Sequence, residues 1–197
     1  FHVSTAKETE LFTNKIPLEE KKITAEVCVH HLWFTDADYE KKGTFIKWNP
    51  AVKTEKDRDE LWKALLDDRI DVIATDHAPH PAEAKECEWQ EAAFGMLGLE
   101  SALSIVNQTM VQTGLLDWEG VADRMSLAPA RIAGYASHGG RIEVGAPANL
   151  TVINPTQSYR VDRDLVASRS RNTPFHGMEL SGVIQGTFFR GNPTYLA

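Results

Sequence analysis

The stretch Ile70-Asp71-Val72-Ile73-Ala74-Thr75-Asp76-His77-Ala78-Pro79-His80 constrains this chain more than any other. Its first five residues read as an apolar β-strand, which runs straight into an Asp, a His, a Pro and a second His. A strand that ends in this way delivers a carboxylate and an imidazole to the mouth of a barrel or open sheet, where the proline stiffens the loop. Polar groups placed there can meet a metal or a substrate. The carboxylate in particular suits a group that both ligates an ion and moves a proton.

The rest of the chain repeats that rhythm. Ser4 or Thr5 with Glu8 forms a capping-box pattern and predicts a helix from Thr5 to Asn14, broken by Pro17. Ile23 to Val29 is β-branched and partly alternating, hence strand-like. Asp36 to Gly43 reads as polar loop, and Trp48-Asn49-Pro50 as extended, because the residue before a proline avoids the helical region. Leu61, Trp62, Leu65 and Leu66 recur at helical spacing within Asp57 to Asp67. Further helices are expected over Leu99–Thr113, Trp118–Met125 and Pro129–Tyr135. Strand alternating with helix is the pattern of a parallel α/β fold, though 197 residues fall short of the about 250 that close a barrel. After Gly139-Gly140 the character changes to short strands, expected at Arg141–Val144, Asn149–Ile153, Tyr159–Val161 and Leu180–Phe189, with frequent Gly and Pro between them. These form a small β unit appended to the α/β part.

Composition removes several classes of function. A hydrophobic share of 42% and a charged share of 25% are those of an ordinary globular protein. The formal charge of −7 argues against a nucleic-acid or anionic-membrane partner. No run of about 18 apolar residues could span a bilayer. Cys28 and Cys87 lie far apart without C-x-x-C spacing and read as reduced thiols of a cytoplasmic protein. The chain opens at Phe1 without a Met, and His2-Val3-Ser4-Thr5 reads as the end of a strand already under way, so a piece of a longer polypeptide is expected.

Among the seven histidines, His2 and His77 fall at expected strand ends and His80 just beyond one. Parallel strands gather their C-terminal ends on one face, and imidazole with carboxylate suits zinc or a similar divalent ion. The sequence holds no His-x-His, H-E-x-x-H or paired C-x-x-C, so it carries no self-sufficient zinc signature. It also lacks a G-x-S-x-G elbow, a G-x-G-x-x-G and a P-loop. Cys28, His30 and His31 read as buried structural residues, and His138 and His176 as solvated loop residues. Trp33, Trp48, Trp62, Trp89 and Trp118 read as core and interface anchors. The Glu83–Glu88 run is a solvated loop, placed where a mobile active-site loop could lie.

His2-Val3-Ser4-Thr5-Ala6-Lys7-Glu8, Ala25-Glu26-Val27-Cys28-Val29-His30-His31-Leu32, Trp48-Asn49-Pro50 and Ala74-Thr75-Asp76-His77-Ala78-Pro79-His80 occur in this order. The series resembles the C-terminal half of the class I dihydroorotases of the amidohydrolase superfamily. Ala93-Phe94-Gly95-Met96-Leu97-Gly98-Leu99-Glu100, Gly140 to Leu150, Asn172-Thr173-Pro174-Phe175 and Gly182 to Gly191 fit as well, so the likeness covers essentially the whole chain. It implies an α/β fold: the C-terminal part of a (β/α)8 TIM-like barrel over residues 1–139, then part of a small β-sandwich over 140–197.

Residue by residue, the resemblance implies that His2 is the metal-ligand histidine ending the sixth barrel strand. Asp76 becomes the catalytic aspartate after the eighth strand, ligating metal and shuttling the proton. Asn49 and His80 match positions that hold the substrate ring and its carboxylate, and Phe94 and Gly95 fall where backbone groups meet the pyrimidine. The implied cofactor is zinc, as one or two ions. The implied substrate pair is dihydroorotate and N-carbamoyl-aspartate, in cytoplasmic pyrimidine synthesis. A homodimer and an association with aspartate transcarbamoylase are the partner expectations. The family's first-strand His-x-His, bridging Lys or Asp and fifth-strand His would all precede Phe1, so the isolated chain should bind metal weakly and turn nothing over. Cys28-Val29 departs from the more usual Thr-Pro. The competing readings are an allantoinase or dihydropyrimidinase, and a non-catalytic dihydroorotase-like partner of aspartate transcarbamoylase.

Overall fold

The computed structural model describes residues 1–135 and 138–197. Two short strands, β1 (Glu26–Cys28) and β2 (Val72–Ala74), pair in parallel with Val27 opposite Ile73. The first residues of the chain extend this layer, because the Val3 N–H donates to Glu26 O at 2.9 Å. Three successive segments therefore run side by side and end on one face. Val27, Val29, Ile70 and Ile73 are buried as expected of strands covered on both sides.

Helices form the crossovers. α1 (Ala6–Thr9) is capped by Thr5 and Glu8 in the expected box, yet it stops five residues before Asn14. Leu11 is 80% exposed, so the chain beyond Thr9 lacks the apolar contact that would hold further turns. α3 (Glu55–Leu66), capped by Thr54 and Asp57, buries Leu61 and Leu65 against the strands, as the spacing foretold. Asp57 also accepts the Ala6 N–H at 2.9 Å and so ties α1 to α3. The Asp36–Gly43 stretch is not loop: a short 3₁₀ turn leads into α2 (Tyr39–Lys42). Thr35 and Asp38 cap it, and Tyr39 packs edge-on against Trp89, with ring centroids 5.4 Å apart. A pattern of charged residues hid a helix that continues a capped turn and is held by the Tyr39–Trp89 contact and by Lys42 Nζ donating to Pro174 O at 2.8 Å.

α4 (Ala102–Val106) continues through a wide π-type turn, Asn107–Val111. Thr109 Oγ1 donates back to Ile105 O at 2.7 Å, a bond that competes with the helical ladder and accompanies such widening. The two helices expected over 118–135 are one run: α5 (Trp118–Ala122), a second wide turn, then α6 (Ala128–Ile132). Pro129 cannot donate to the preceding turn, which locates the irregularity.

The last third forms an antiparallel sheet ordered β3 (Leu150–Arg160), β4 (Glu179–Phe189), β5 (Asn192–Leu196). The two strands expected around Pro155 are one bulged strand; the proline sits in the bulge, where no ladder N–H is needed. α4 and its wide turn grip this sheet, with Ser104 Oγ donating to Gly182 O at 2.7 Å and Asn107 Nδ2 to Pro155 O at 3.0 Å. Gly182 is required there: at φ +99° a Cβ would stand 3.0 Å from Asn107 Nδ2. The strand expected at Arg141–Val144 is absent among the described residues; Ile142 and Val144 find neither a neighbour to pair with nor a face to cover them. No helix is long and apolar enough to cross a membrane among those residues.

At the entry to β2, Asp71 and Lys21 form a buried ion pair at 2.5 Å, with both side chains under 5% exposed. Asp71 also accepts the Ala25 N–H at 2.9 Å, fixing the start of β1 against β2. Asp71→Ala strands a buried ammonium and should cost about 3–5 kcal/mol, read as a lower urea midpoint. The double substitution K21M/D71L should recover most of that loss. A single-variant loss below about 1 kcal/mol would mean that the pair behaves as an exposed one.

Candidate active site

The parallel register carries the C-terminal ends of the first segment, β1 and β2 to one place, and three polar side chains meet there. His2 Nδ1 lies 2.7 Å from Glu26 Oε1 and 3.2 Å from Cys28 Sγ, while His2 Nε2 lies 3.5 Å from Asp76 Oδ1. Glu26 and Cys28 are two apart on one strand, so both point to the same side, toward His2. The three charged-type side chains are each between a fifth and a third exposed, sheltered but reachable. His2 and Asp76 both adopt left-handed backbone, with φ of 55° and 44°, a conformation disfavoured for residues other than glycine.

The 2.7 Å approach of the Glu26 carboxylate, an acceptor, favours a proton on His2 Nδ1. In that tautomer the Nε2 atom facing the Asp76 carboxylate carries a lone pair. Two acceptors then face each other at 3.5 Å. A cation between them would satisfy both acceptors. Atoms sharing one zinc through bonds of about 2.0–2.2 Å in tetrahedral geometry sit roughly 3.3 Å apart, close to the separation seen. A carboxylate behind a ligand histidine is the usual device for orienting the ring and raising its basicity. The donor set thus fits a divalent ion, and the expected convergence of His2 and Asp76 is present.

His80 and the 93–96 segment form a second group beside the first. His80 Nε2 contacts Phe94 O at 2.7 Å, and His80 N–H donates to Asn172 Oδ1 at 3.1 Å. With Nε2–H given to Phe94 O, neutral His80 offers Nδ1 only as an acceptor; donation to a ligand from Nδ1 requires the imidazolium. Gly95, at φ +127°, passes so close to Ala78 that a Cβ would stand 2.4 Å from the Ala78 Cβ. Its N–H donates to Lys47 O at 3.0 Å. Phe94 is 56% exposed, with Lys47 Nζ over its ring at 4.6 Å. Asn49 is exposed just beyond the buried Trp48. His77, by contrast, turns away from His2: its Nδ1 accepts the N–H groups of Gly98 and Leu99 at 3.1 and 3.3 Å and anchors that turn.

Reading residues one by one missed two of these. Glu26 sits in a strand otherwise apolar, and a charged residue on an inward strand face was the available signal. Asn172 ties Ala78 O, His80 N and the Leu97 N–H into one knot, and its long-range role had no local pattern to betray it.

Cys28, His30 and His31 form another compact group, their ligand-type atoms all within 4.8 Å of one another. All three are fully enclosed. His30 packs at a tilt against Trp48 with centroids 4.4 Å apart, and His31 Nε2 meets Pro50 O at 2.9 Å. Burial pushes the Cys28 thiol up, with the Asp76 and Glu26 charges adding to it, and drives His30 well below the ordinary imidazole range. In the absence of an ion, burial holds these groups in their neutral forms, and the two His30 ring nitrogens and His31 Nδ1 have no hydrogen-bond partner among the described residues. His138 is less solvated than expected; its ring stacks on Phe189 at 6.1 Å.

Residues 3–194 match the amidohydrolase family. The chain belongs to that family. Amidohydrolases are generally metal-dependent, which agrees with the facing pair at His2 and Asp76. The chain is 49% identical over 193 residues to the dihydroorotase of Streptomyces coelicolor, covering 98% of this chain and 45% of that protein. It is 43% identical to the dihydroorotase of Leifsonia xyli, covering 99% and 44%. Among solved structures, the L-hydantoinase (dihydropyrimidinase) of Arthrobacter aurescens superposes with a TM-score of 0.90 at 30% identity, over 99% of this chain and 44% of that one. The amidohydrolase chain thus spans somewhat under half the length of these relatives, and its fold is that of their TIM-barrel superfamily.

The buried histidines generate a pH dependence. Burial lowers His31 from 6.5 to about 4, outweighing the bond to Pro50 that favours its charged form. The unfolded chain therefore binds more protons as pH falls below about 6.5, so stability is lost on the way to pH 4, by about 3 kcal/mol from this group. In H31Q the loss should shrink by roughly one proton's worth in the pH slope of the unfolding free energy. Equal slopes in the two proteins would contradict the assignment.

Proposed function

We propose that this amidohydrolase chain is the C-terminal part of a dihydroorotase that interconverts dihydroorotate and N-carbamoyl-L-aspartate. The observation that carries the reading is His2 Nε2 standing 3.5 Å from the Asp76 carboxylate, with Glu26 2.7 Å from the other ring nitrogen. The substrate follows from relatives named dihydroorotases at up to 49% identity over nearly the whole chain. In this reading residues 1–139 are the closing part of the barrel, and 140–197 belong to a small β-sandwich. A cytoplasmic place in pyrimidine synthesis goes with it.

His2 and Asp76 would hold the ion, with zinc suited to an imidazole and carboxylate set. When bound, such an ion polarises the ring carbonyl and lowers the pKa of the attacking water. The chain's own residues do the rest. Asp76 Oδ1 faces His2, which leaves its other oxygen to take the proton as the water oxygen bonds to the carbonyl carbon. The same carboxyl then gives that proton to the ring nitrogen as the C–N bond breaks, so one group acts as base and then acid. Glu26 holds the His2 ring in the tautomer this needs. Asn49 and His80 face the substrate carboxylate, and the backbone at Phe94 and Gly95 borders the ring.

A hydantoinase or dihydropyrimidinase reading draws on the L-hydantoinase likeness. Hydantoins and dihydrouracil carry no carboxylate, however, and would leave His80 without a partner. A scaffold role as a partner of aspartate transcarbamoylase would leave the facing pair and Glu26 with no task.

The test is a chimera that places the remaining portion of the Streptomyces coelicolor protein ahead of this chain. It should hydrolyse dihydroorotate in preference to dihydrouracil, allantoin and hydantoin, and D76N should lower kcat by at least about 10³-fold. Preference for an uncharged ring would overturn the substrate assignment. The 197-residue chain alone offers two donors at this site, so zinc titration should show no tight stoichiometric binding that H2A or D76A abolishes; submicromolar uptake lost in either variant would contradict the need for the further ligands.

A further inference from the structure

Lys85 is fully buried, although lysine is almost never enclosed without an acidic partner. No carboxylate pairs with it among the described residues. Its ammonium donates instead to two backbone carbonyls, Lys47 O at 3.1 Å and Ala93 O at 2.8 Å. Lys47 O accepts a second bond, from the Gly95 N–H at 3.0 Å. Thr44 Oγ1 donates to Lys85 O at 2.5 Å, and Ala93 N–H to Ala84 O at 2.8 Å. One ammonium therefore joins the segment that leads to Asn49 and the segment that carries Phe94 and Gly95.

An apolar side chain of similar length would fill the space at lower desolvation cost. What it could not do is draw two carbonyl oxygens, which repel each other, toward one point. Burial, with the Lys47 charge adding to it, lowers the Lys85 ammonium to about 8, so it still carries its proton at neutral pH. The Lys47 side chain, itself buried, reinforces the same junction, donating to Trp89 O at 2.5 Å and lying over the Phe94 ring.

We propose that Lys85 is a positioning residue of the substrate slot: its buried ammonium sets the distance between the Asn49 segment and the Phe94–Gly95 segment before substrate arrives. The proposal rests on the dihydroorotase reading for what the slot binds, but the clamp itself is a property of this chain. Preset walls reduce the ordering that binding requires, so loss of the clamp should weaken ground-state binding more than the chemical step.

Two measurements test it with K85M and K85R. In the 197-residue chain, K85M should speed amide hydrogen exchange at Gly95 by about tenfold or more while leaving Val29, on the β1–β2 layer, unchanged. In the chimera, K85M should raise KM for dihydroorotate about tenfold with kcat within about threefold, and K85R should recover part of the loss. Unchanged exchange at Gly95, or a fall in kcat at constant KM, would overturn the proposal. Should K85M fail to fold, T44V removes only the bond to the Lys85 carbonyl and should still accelerate Gly95; no acceleration would equally overturn it. If the wild-type chimera rejects dihydroorotate, the functional reading fails, while the exchange at Gly95 still decides the clamp.

Discussion

The pairing of β1 with β2 in parallel, with Val3 bonded alongside to Glu26, is the constraint on which the rest depends. Parallel strands that start together also end together, so the residues just past those ends are neighbours however far apart they lie in sequence. His2 and Asp76 are separated by more than seventy positions and stand 3.5 Å apart for this reason. A one-residue slip of β1 would turn Glu26 and Cys28 to the other face and bring Val27 to His2. The imidazole would then lose the carboxylate that sets its tautomer.

The two ends of this strand layer divide the work. At the entry end, the buried Lys21–Asp71 pair fixes where β1 begins relative to β2. At the exit end, the backbone is held in left-handed conformations at His2 and Asp76, and polar groups crowd together with like-natured atoms facing. Conservation of stability at one end and accumulation of strain at the other is the arrangement expected when the exit face carries chemistry. Around it, Asn172 and Lys85 hold loops by bonding to backbone carbonyls, so the segments that border the slot are fixed by buried polar groups as much as by packing.

Much of this was legible in the sequence because the signals were local. The strand into Asp76 announces itself by a short apolar run that ends in charge and proline, and α3 by Leu61 and Leu65 at helical spacing. The family likeness supplied the proposed roles of His2, Asn49, His80, Phe94 and Gly95, which periodicity alone could not. What escaped was non-local. α2 is made of polar residues and is stabilised by Thr35, Asp38 and a contact with Trp89, fifty residues on. Arg141–Val144 has a strand-like composition but no partner, and a strand without one does not form. Glu26 and Lys85 look like ordinary surface charges until the fold encloses them.

The central claim is that His2 and Asp76 share one divalent cation. Crystals of the active chimera grown with zinc, with anomalous diffraction recorded on either side of the zinc absorption edge, test it most directly. The account predicts an anomalous peak within bonding reach of both His2 Nε2 and an Asp76 carboxylate oxygen. A peak seated instead among Cys28, His30 and His31, or zinc in the crystal that touches neither His2 nor Asp76, would contradict it.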